Sequence, residues 1–177
     1  MKFGRIAVSG AEGAILAHSL RSDAGVFKKG RVLSPEDIAA LTAAGVDTVV
    51  AARLETGDVP EDAAARRIAG ALAGPGTRVA AAFTGRCNLL ADDEGLLVVD
   101  RDRVDALNLI DETVTLATLP PYERVVARQM LATVKIIPLA APESSVAAAE
   151  ALGPLLRVAP FTAKTVGLVM SELPGTK

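Results

Sequence analysis

A pair of strand-like runs joined by a double proline constrains the fold more than any other feature of the sequence. Residues 113–118 and 129–137 are rich in threonine, valine, leucine and isoleucine, several of which favour strands. The prolines at 120–121 lack a backbone donor and separate the two runs. The second run alternates, which places Thr133 and Lys135 on one face and apolar side chains on the other. The sequence therefore predicts two strands here.

Helix start signals recur along the chain. The clearest is Ser34 followed by Pro35, because a serine can accept hydrogen bonds from the first helical amides and proline is favoured at the first helical position. Gly45 then offers the left-handed residue that commonly ends a helix. The same reasoning predicts three further short helices, which start near residues 60, 100 and 142.

Apolar runs between these helices predict further strands. We expect strands at 46–50, 79–83, 155–158 and 165–170, a loop at 84–88, and a hairpin formed by 89–91 and 96–99. A Gly-Pro-Gly sequence at 74–76 is the best candidate for a hinge. We therefore predict an α+β fold, with mixed sheets and short helices in two lobes, an amino-terminal α/β lobe at 1–74 and a second α/β lobe at 75–177.

Composition excludes several classes of function. The formal net charge is −2, with 19 Lys and Arg against 21 Asp and Glu, and no basic run is present, so nucleic acid is not an expected partner. Aromatic residues make up only 3% of the chain, which leaves little for stacking on bases. Cys87 and His18 are the single cysteine and the single histidine. We therefore predict no internal disulfide and no metal site.

The amino terminus does not have the pattern of a targeting segment. It starts with a basic residue, but Ser9, Gly10 and Glu12 interrupt the apolar stretch that a signal peptide needs. No apolar run approaches the roughly 20 residues that cross a bilayer. We predict no membrane partner and, given the single cysteine, a cytoplasmic location.

The sequence most typical of a binding site contains Thr84, Gly85, Arg86 and Asn88. A glycine allows backbone amides to approach a ligand, and Arg86 offers a planar fork that suits phosphate or carboxylate. The alternative is an ordinary turn whose arginine pairs with one of the aspartates at 92–93. Spacing alone favours that alternative.

Lys135 is the second candidate. It lies among branched apolar residues, so its ammonium group must reach solvent, an acid or an anionic ligand. A partly shielded lysine suits a phosphate group. A solvated sheet face or a salt bridge is the slightly favoured alternative.

Other polar residues give weaker signals. The basic residues at 28–31 precede a helix and could receive an anion, but exposed charges at a turn usually serve only to solvate it. The acidic clusters at 92–94 and 111–112 lack the spacing of a calcium loop. His18 has no nucleophile in a recognisable motif beside it, and Cys87 is expected to be an inert thiol although an arginine precedes it. We assign no catalytic residue.

Five stretches of the sequence resemble the amino-terminal part of MoeA-like molybdopterin-binding proteins. They lie at residues 12–19, 29–33, 84–89, 115–120 and 134–138, and the last three are fairly specific. The stretches are spread over most of the chain. In this family the pterin is expected in a following MogA-like α/β domain with glycine-rich loops, and nothing similar to it occurs in these 177 residues. The resemblance therefore implies an accessory region, with residues 173–177 as a linker to that domain.

The resemblance also implies a ligand. Molybdopterin or its nucleotide form is the expected cofactor, and a phosphorylated small molecule is the expected partner. The side chains or backbone groups expected to face it belong to Thr84, Gly85, Arg86, Asn88 and Lys135. Their chemistry is compatible with anions.

Two other functions are weighed against this one. The first is a structural module without a ligand, such as a homodimerisation module, in which the same polar side chains close hydrogen bonds at an interface. The second is a small stand-alone enzyme that acts on a phosphorylated metabolite. It is disfavoured because the sequence shows no base, nucleophile or metal set.

Overall fold

The computed structural model describes residues 1–171 and residue 175. Within them the chain forms four α-helices and fourteen strands in several small sheets, so the α+β fold class is confirmed. The helices are α1 (Pro35–Ala43), α2 (Glu61–Leu72), α3 (Arg101–Asn108) and α4 (Glu143–Ala151), and a short 3-10 helix spans Val8–Gly10. The strands are β1 (Lys2–Ala7), β2 (Ile15–Leu16), β3 (Leu20–Ser22), β4 (Gly25–Phe27), β5 (Thr48–Arg53), β6 (Asp58–Pro60), β7 (Thr77–Val79), β8 (Arg86–Ala91), β9 (Gly95–Val99), β10 (Val114–Thr118), β11 (Arg124–Val125), β12 (Met130–Ile136), β13 (Ala140–Pro142) and β14 (Leu156–Pro160).

Residues 1–53, here called the amino-terminal unit, have their own hydrophobic cluster. An antiparallel sheet in the order β1–β5–β2 covers it, and Phe27 and Leu41 are among its buried side chains. α1 begins as predicted. Ser34 accepts the N–H of Asp37, and the Asp37 carboxylate accepts the N–H of Ser34, which together form a capping box.

Residues 58–160, here called the main unit, contain the larger cluster. Four antiparallel strands form a sheet in the order β10–β12–β8–β7, and three form a second sheet in the order β11–β9–β14. α2 buries Ile68 and Leu72 in this cluster, and it packs on β8, β12 and α4. The opposite face of the larger sheet carries exposed and part-exposed side chains, including Thr115 and Thr133. The start of α2 is thereby fixed beside the ends of β8 and β12.

Along the chain, the last residue of the first hydrophobic cluster is Ala51 and the first residue of the second cluster is Val59. The two clusters therefore separate earlier in the sequence than the domain boundary predicted at 74/75. The Gly-Pro-Gly segment at 74–76 packs inside the main unit, where the Gly74 N–H donates to the Leu156 carbonyl oxygen at 2.9 Å. A Cβ atom on Gly74 would lie only 2.6 Å from that oxygen. This glycine therefore serves a close approach of two backbones.

Several strand predictions were wrong. The hairpin predicted at 89–99 does not form, because β8 and β9 belong to different sheets. The strand predicted at 79–83 ends at Val79 as β7, and residues 165–170 have no regular structure and are exposed. Residues 80–83 still run beside β8, since the Ala80 N–H donates to the Asn88 carbonyl oxygen at 2.9 Å, whereas residues 165–170 have no strand partner in the part of the chain that the structure describes. The linker predicted at 173–177 lies outside the described residues, apart from Gly175.

The strands that flank the double proline are confirmed. β10 pairs antiparallel with β12, and Thr133 and Lys135 lie on the same, less buried face of β12. In the part of the chain that the structure describes, no helix is both long and apolar enough to span a membrane.

Candidate functional site

The loop predicted at 84–88 is a two-residue hairpin turn followed directly by a strand. Phe83 and Arg86 exchange two backbone hydrogen bonds of 2.9 and 3.1 Å, and β8 begins at Arg86. The central residues Thr84 and Gly85 have φ of 49° and 69°, positive at both positions as a type I′ turn requires. A threonine in this region is uncommon because its branched side chain crowds the backbone. The turn therefore holds backbone strain within the predicted site.

Three hydrogen bonds fix the backbone of this turn. The Gly85 N–H donates to Asp62 Oδ1 at 2.7 Å, and the Gly85 carbonyl oxygen accepts the N–H of Ile136 at 2.8 Å. The Lys135 ammonium group donates to the Thr84 carbonyl oxygen at 2.9 Å. α2 and β12 thus hold the turn from two sides.

No residue other than glycine fits at position 85. A Cβ atom there would collide with Oε2 of Glu61, and it would lie 2.9 Å from both Lys135 Nζ and the Ile136 carbonyl oxygen. Gly85 is also buried. The close packing brings the carboxylate of Glu61 and the ammonium group of Lys135 to the same side of the turn.

Arg86 and Lys135 lie directly opposite each other in the β8–β12 ladder, so their side chains leave the same face of the sheet. Among the described residues, no carboxylate oxygen lies within 4.0 Å of either cation. The predicted alternative partner Asp92 instead lies 3.8 Å from Arg78. Like charges in directly opposite positions destabilise a sheet. The Glu61 carboxylate, on the same side of the turn, partly offsets the charge of Lys135. A bound anion would therefore stabilise the pair mainly through Arg86.

Asn88 lies on the same strand face as Arg86, but its side chain is used inside the sheet. The Thr133 hydroxyl donates to Asn88 Oδ1 at 2.8 Å. The structure therefore brings four of the five predicted site residues together around the turn. Asn88 lies farther along the ladder with a cross-strand partner of its own.

A cavity of about 500 Å³ lies beside the turn, between the amino-terminal and main units. It is lined by Met1, Phe3, Ala17, His18, Lys29, Gly30, Glu61, Thr84, Lys135, Ile137, Pro138 and Leu139. This size is ordinary for a small-molecule site. Thr84 and Lys135 are the predicted site residues that line it, and Arg86 does not.

Glu61 is the acidic side chain of the cavity. Burial raises the pKa of Glu61, and the positive charges of Lys135 and Lys29 partly offset this rise. Within residues 1–171 its carboxylate has neither a hydrogen-bond partner nor an ion-pair partner. The carboxylate oxygens still reach solvent, because among the described residues the fully buried side-chain polar atom without a partner is Thr113 Oγ1. A ligand that carries N–H or O–H groups would replace water as the donor to Glu61.

Sequence reasoning missed Glu61 and Phe3 as lining residues. Glu61 is the first residue of α2, and in the sequence it had the features of an ordinary helix start after Pro60. Its neighbour Gly85 is far away along the chain, and only the tertiary fold joins them. For Lys29, which also lines the cavity, one signal was present in the sequence: the basic cluster at 28–31, which could receive an anion.

The remaining candidates have structural roles. Burial raises the pKa of the Cys87 thiol, and its S–H donates to the Ala80 carbonyl oxygen at 3.3 Å, so this thiol is unreactive. Asp111 accepts the Thr113 N–H at 2.8 Å and the Ser145 hydroxyl at 2.7 Å. In the described part of the chain, no group of three or more His, Cys, Asp or Glu side chains could hold a metal ion.

Comparison with known proteins gives one match. A family model described as a domain of unknown function (DUF8806) matches residues 5–53, which is almost the whole amino-terminal unit. No curated protein and no solved structure matches the chain. The match assigns no activity, and it includes Lys29 and His18 of the cavity.

Proposed function

We propose that this chain is the accessory amino-terminal region of a cytoplasmic molybdopterin-binding protein that acts in the biosynthesis or handling of the molybdenum cofactor. In this proposal the turn at Thr84 and Gly85, with Arg86 and Lys135, receives the phosphorylated part of molybdopterin or of its nucleotide form. The MoeA-like stretches of the sequence support the family. Asn88 contributes by orienting Thr133 on the same sheet face.

One observation supports the ligand more than any other. Arg86 and Lys135 are cross-strand neighbours of like charge without a carboxylate within 4.0 Å among the described residues. Such a pair lowers stability. The Glu61 carboxylate partly offsets the charge of Lys135, and an anion beside Arg86 would remove the remaining repulsion. A functional site that lowers stability is a recurrent trade-off in natural proteins.

A thermal-shift titration tests the proposal. Molybdopterin, a guanine nucleotide and inorganic pyrophosphate are each added to the chain, and we expect a rise in melting temperature that grows with ligand concentration. Arg86→Gln and Lys135→Met should each reduce the rise. Arg101→Gln is the matched control, because it removes an exposed arginine at the start of α3, away from the turn. Flat curves for all three ligands at millimolar concentration would contradict binding by this chain.

The genomic context provides a second test. The proposal expects the coding sequence to continue into a MogA-like α/β domain with glycine-rich loops. An unrelated domain in that position, together with flat titration curves, would remove the support for a role in molybdenum cofactor handling.

A structural module without a ligand is the second candidate, and specific contacts favour it. Lys135 bonds to the Thr84 carbonyl oxygen, Asp62 bonds to Gly85, and Thr133 bonds to Asn88. These bonds stabilise the turn without any ligand. If this candidate is correct, the chain forms a homodimer by sedimentation analysis, and Arg86→Gln shifts the monomer–dimer equilibrium without changing any titration curve.

A further inference from the structure

The cavity between the two units has an apolar part that the anion site does not explain. Phe3 of β1 and Ile137, which follows β12, both line it and are 60% and 58% exposed. Leu139 lines it as well and is buried. Large apolar side chains of this exposure in a concave surface mark a ligand site.

The polar side chains of the cavity are few. Lys29 comes from the amino-terminal unit, Lys135 comes from the main unit, and both act electrostatically on Glu61. The backbone around Lys29 is fixed, because its N–H donates to Ser19 Oγ at 3.1 Å and the following Gly30 N–H donates to the Leu16 carbonyl oxygen at 2.8 Å. The cavity therefore offers two lysine ammonium groups, one carboxylate and the side chains of His18 and Thr84 beside its apolar walls.

We propose that this cavity binds an organic anion whose ring system, which carries N–H groups, lies against Phe3 and Ile137 and whose negative group lies near Lys29 and Lys135. The inference rests on the proposed function, since Lys135 belongs to both sites. It adds that the amino-terminal unit supplies half of the site. The segment that matches a domain of unknown function thereby gains a role, which is to close the ligand site over the turn.

The polar groups favour this ligand over others. A fatty acyl chain would leave the Glu61 carboxylate without a donor, which is unfavourable in a part-buried position. Inorganic phosphate would leave Phe3 and Ile137 exposed. A planar ring with N–H donors satisfies Glu61 and covers an aromatic side chain.

Isothermal titration calorimetry on the 177-residue chain tests the inference with four probes: guanosine monophosphate, guanosine, ribose 5-phosphate and inorganic pyrophosphate. We expect guanosine monophosphate to bind at least about tenfold more tightly than ribose 5-phosphate, which is a typical gain for stacking of one base. Glu61→Leu should weaken guanosine monophosphate but tighten pyrophosphate, because it removes an acceptor and a negative charge together. Opposite effects of one substitution on two probes are not produced by a general loss of structure.

Variants of the apolar walls complete the test. Phe3→Ala should abolish the difference between guanosine monophosphate and ribose 5-phosphate, and Phe3→Leu should reduce it while keeping an apolar side chain in place. Phe161→Ala is the matched control, because Phe161 is a phenylalanine with 50% exposure that does not line the cavity. Lys29→Gln should weaken all three phosphate-bearing probes.

Two results would overturn the inference, and they separate it from the proposed function. If guanosine monophosphate and ribose 5-phosphate bind equally and Phe3→Ala changes neither, the ring site is excluded while an anion site sensitive to Arg86→Gln still stands. If guanosine monophosphate binds through Phe3 but Lys29→Gln and Lys135→Met leave its affinity unchanged, the anionic half of the inference fails. If Arg86→Gln and Lys135→Met also leave the affinity for pyrophosphate unchanged, the proposed function fails with it.

Discussion

Arg31 and Asp37 form a two-bond ion pair, in which Nε donates to Oδ2 and Nη2 donates to Oδ1, each at 2.7 Å. The carboxylate is buried, and it also accepts the Ser34 N–H at 3.2 Å. The guanidinium group lies over the Phe27 ring, 5.4 Å from its centre. This carboxylate ties the residues before α1 to the helix and to the core of the amino-terminal unit. The unit that presents Lys29 to the cavity therefore depends on it.

Asp37→Asn should destabilise the amino-terminal unit by about 1–3 kcal/mol, because it replaces the charged, buried acceptor of three hydrogen bonds with a weaker one. The hydrogen bonds from Arg31 hold the pKa of Asp37 below its ordinary value of 3.8. The stability contributed by Asp37 is therefore full above that value and is lost as the pH falls through the lower folded pKa. Urea unfolding followed by far-UV circular dichroism should show a large difference between the variant and the wild type at pH 6 and a smaller one near pH 3.

The exposed Asp102 in the first turn of α3 provides the control for this substitution. Asp102→Asn should change the free energy of unfolding by no more than about 0.5 kcal/mol. If the two substitutions had equal effects, the ion pair between Arg31 and Asp37 would contribute no more to stability than any acidic side chain in the first turn of a helix.

Gly85→Ala should destabilise the main unit by about 2–4 kcal/mol, since the new Cβ combines a positive φ with a collision against Glu61 and the Ile136 carbonyl oxygen. Gly13 is the matched control, because its φ is 74° and a Cβ atom added there would have no heavy atom within 4 Å. Gly13→Ala should therefore cost only the backbone strain, about 1 kcal/mol. Chemical unfolding measures both, and a Gly85→Ala variant no less stable than Gly13→Ala would contradict the packing described at the turn.

Glu61→Gln should make the free energy of unfolding less dependent on pH between pH 4.5, which is the ordinary pKa of this carboxyl group, and pH 7. Burial raises the pKa of Glu61 above its usual 4.5, so the folded state holds this proton more tightly than the unfolded state does. The contribution of Glu61 is then full below 4.5 and decreases as the pH rises through the raised folded pKa. The melting temperature of Glu61→Gln should exceed that of the wild type at pH 7, and the difference should vanish near pH 4.

Local signals explain which parts of the fold the sequence could predict. α1 was predictable because Ser34 and Pro35 determine the helix start by contacts within a few residues. The exposure of Lys135 beside Thr133 was predictable because the side chains of a strand alternate. Both features depend on neighbours in the sequence alone.

The failures all involve partners that are distant along the chain. Residues 89–91 and 96–99 flank a sequence rich in acids and glycine, as a hairpin would, yet β8 pairs with β12 and β9 pairs with β14. The cavity could not be predicted for the same reason, because its lining residues Phe3 and Ile137 come together only after both units have folded. Periodicity and caps carry no information on such pairings.

Arg86→Gln should raise the stability of the ligand-free chain by about 0.5 kcal/mol, because it removes the like charge opposite Lys135. Added sodium chloride should stabilise the wild type more than the variant, since salt screens the repulsion between two cations at the surface. Melting temperatures at low and high salt measure both effects, with Arg101→Gln as the control that should show neither. A variant that is less stable than the wild type at every salt concentration would instead assign Arg86 a structural contact, and Lys135 alone would then remain as the anion-binding side chain at the turn.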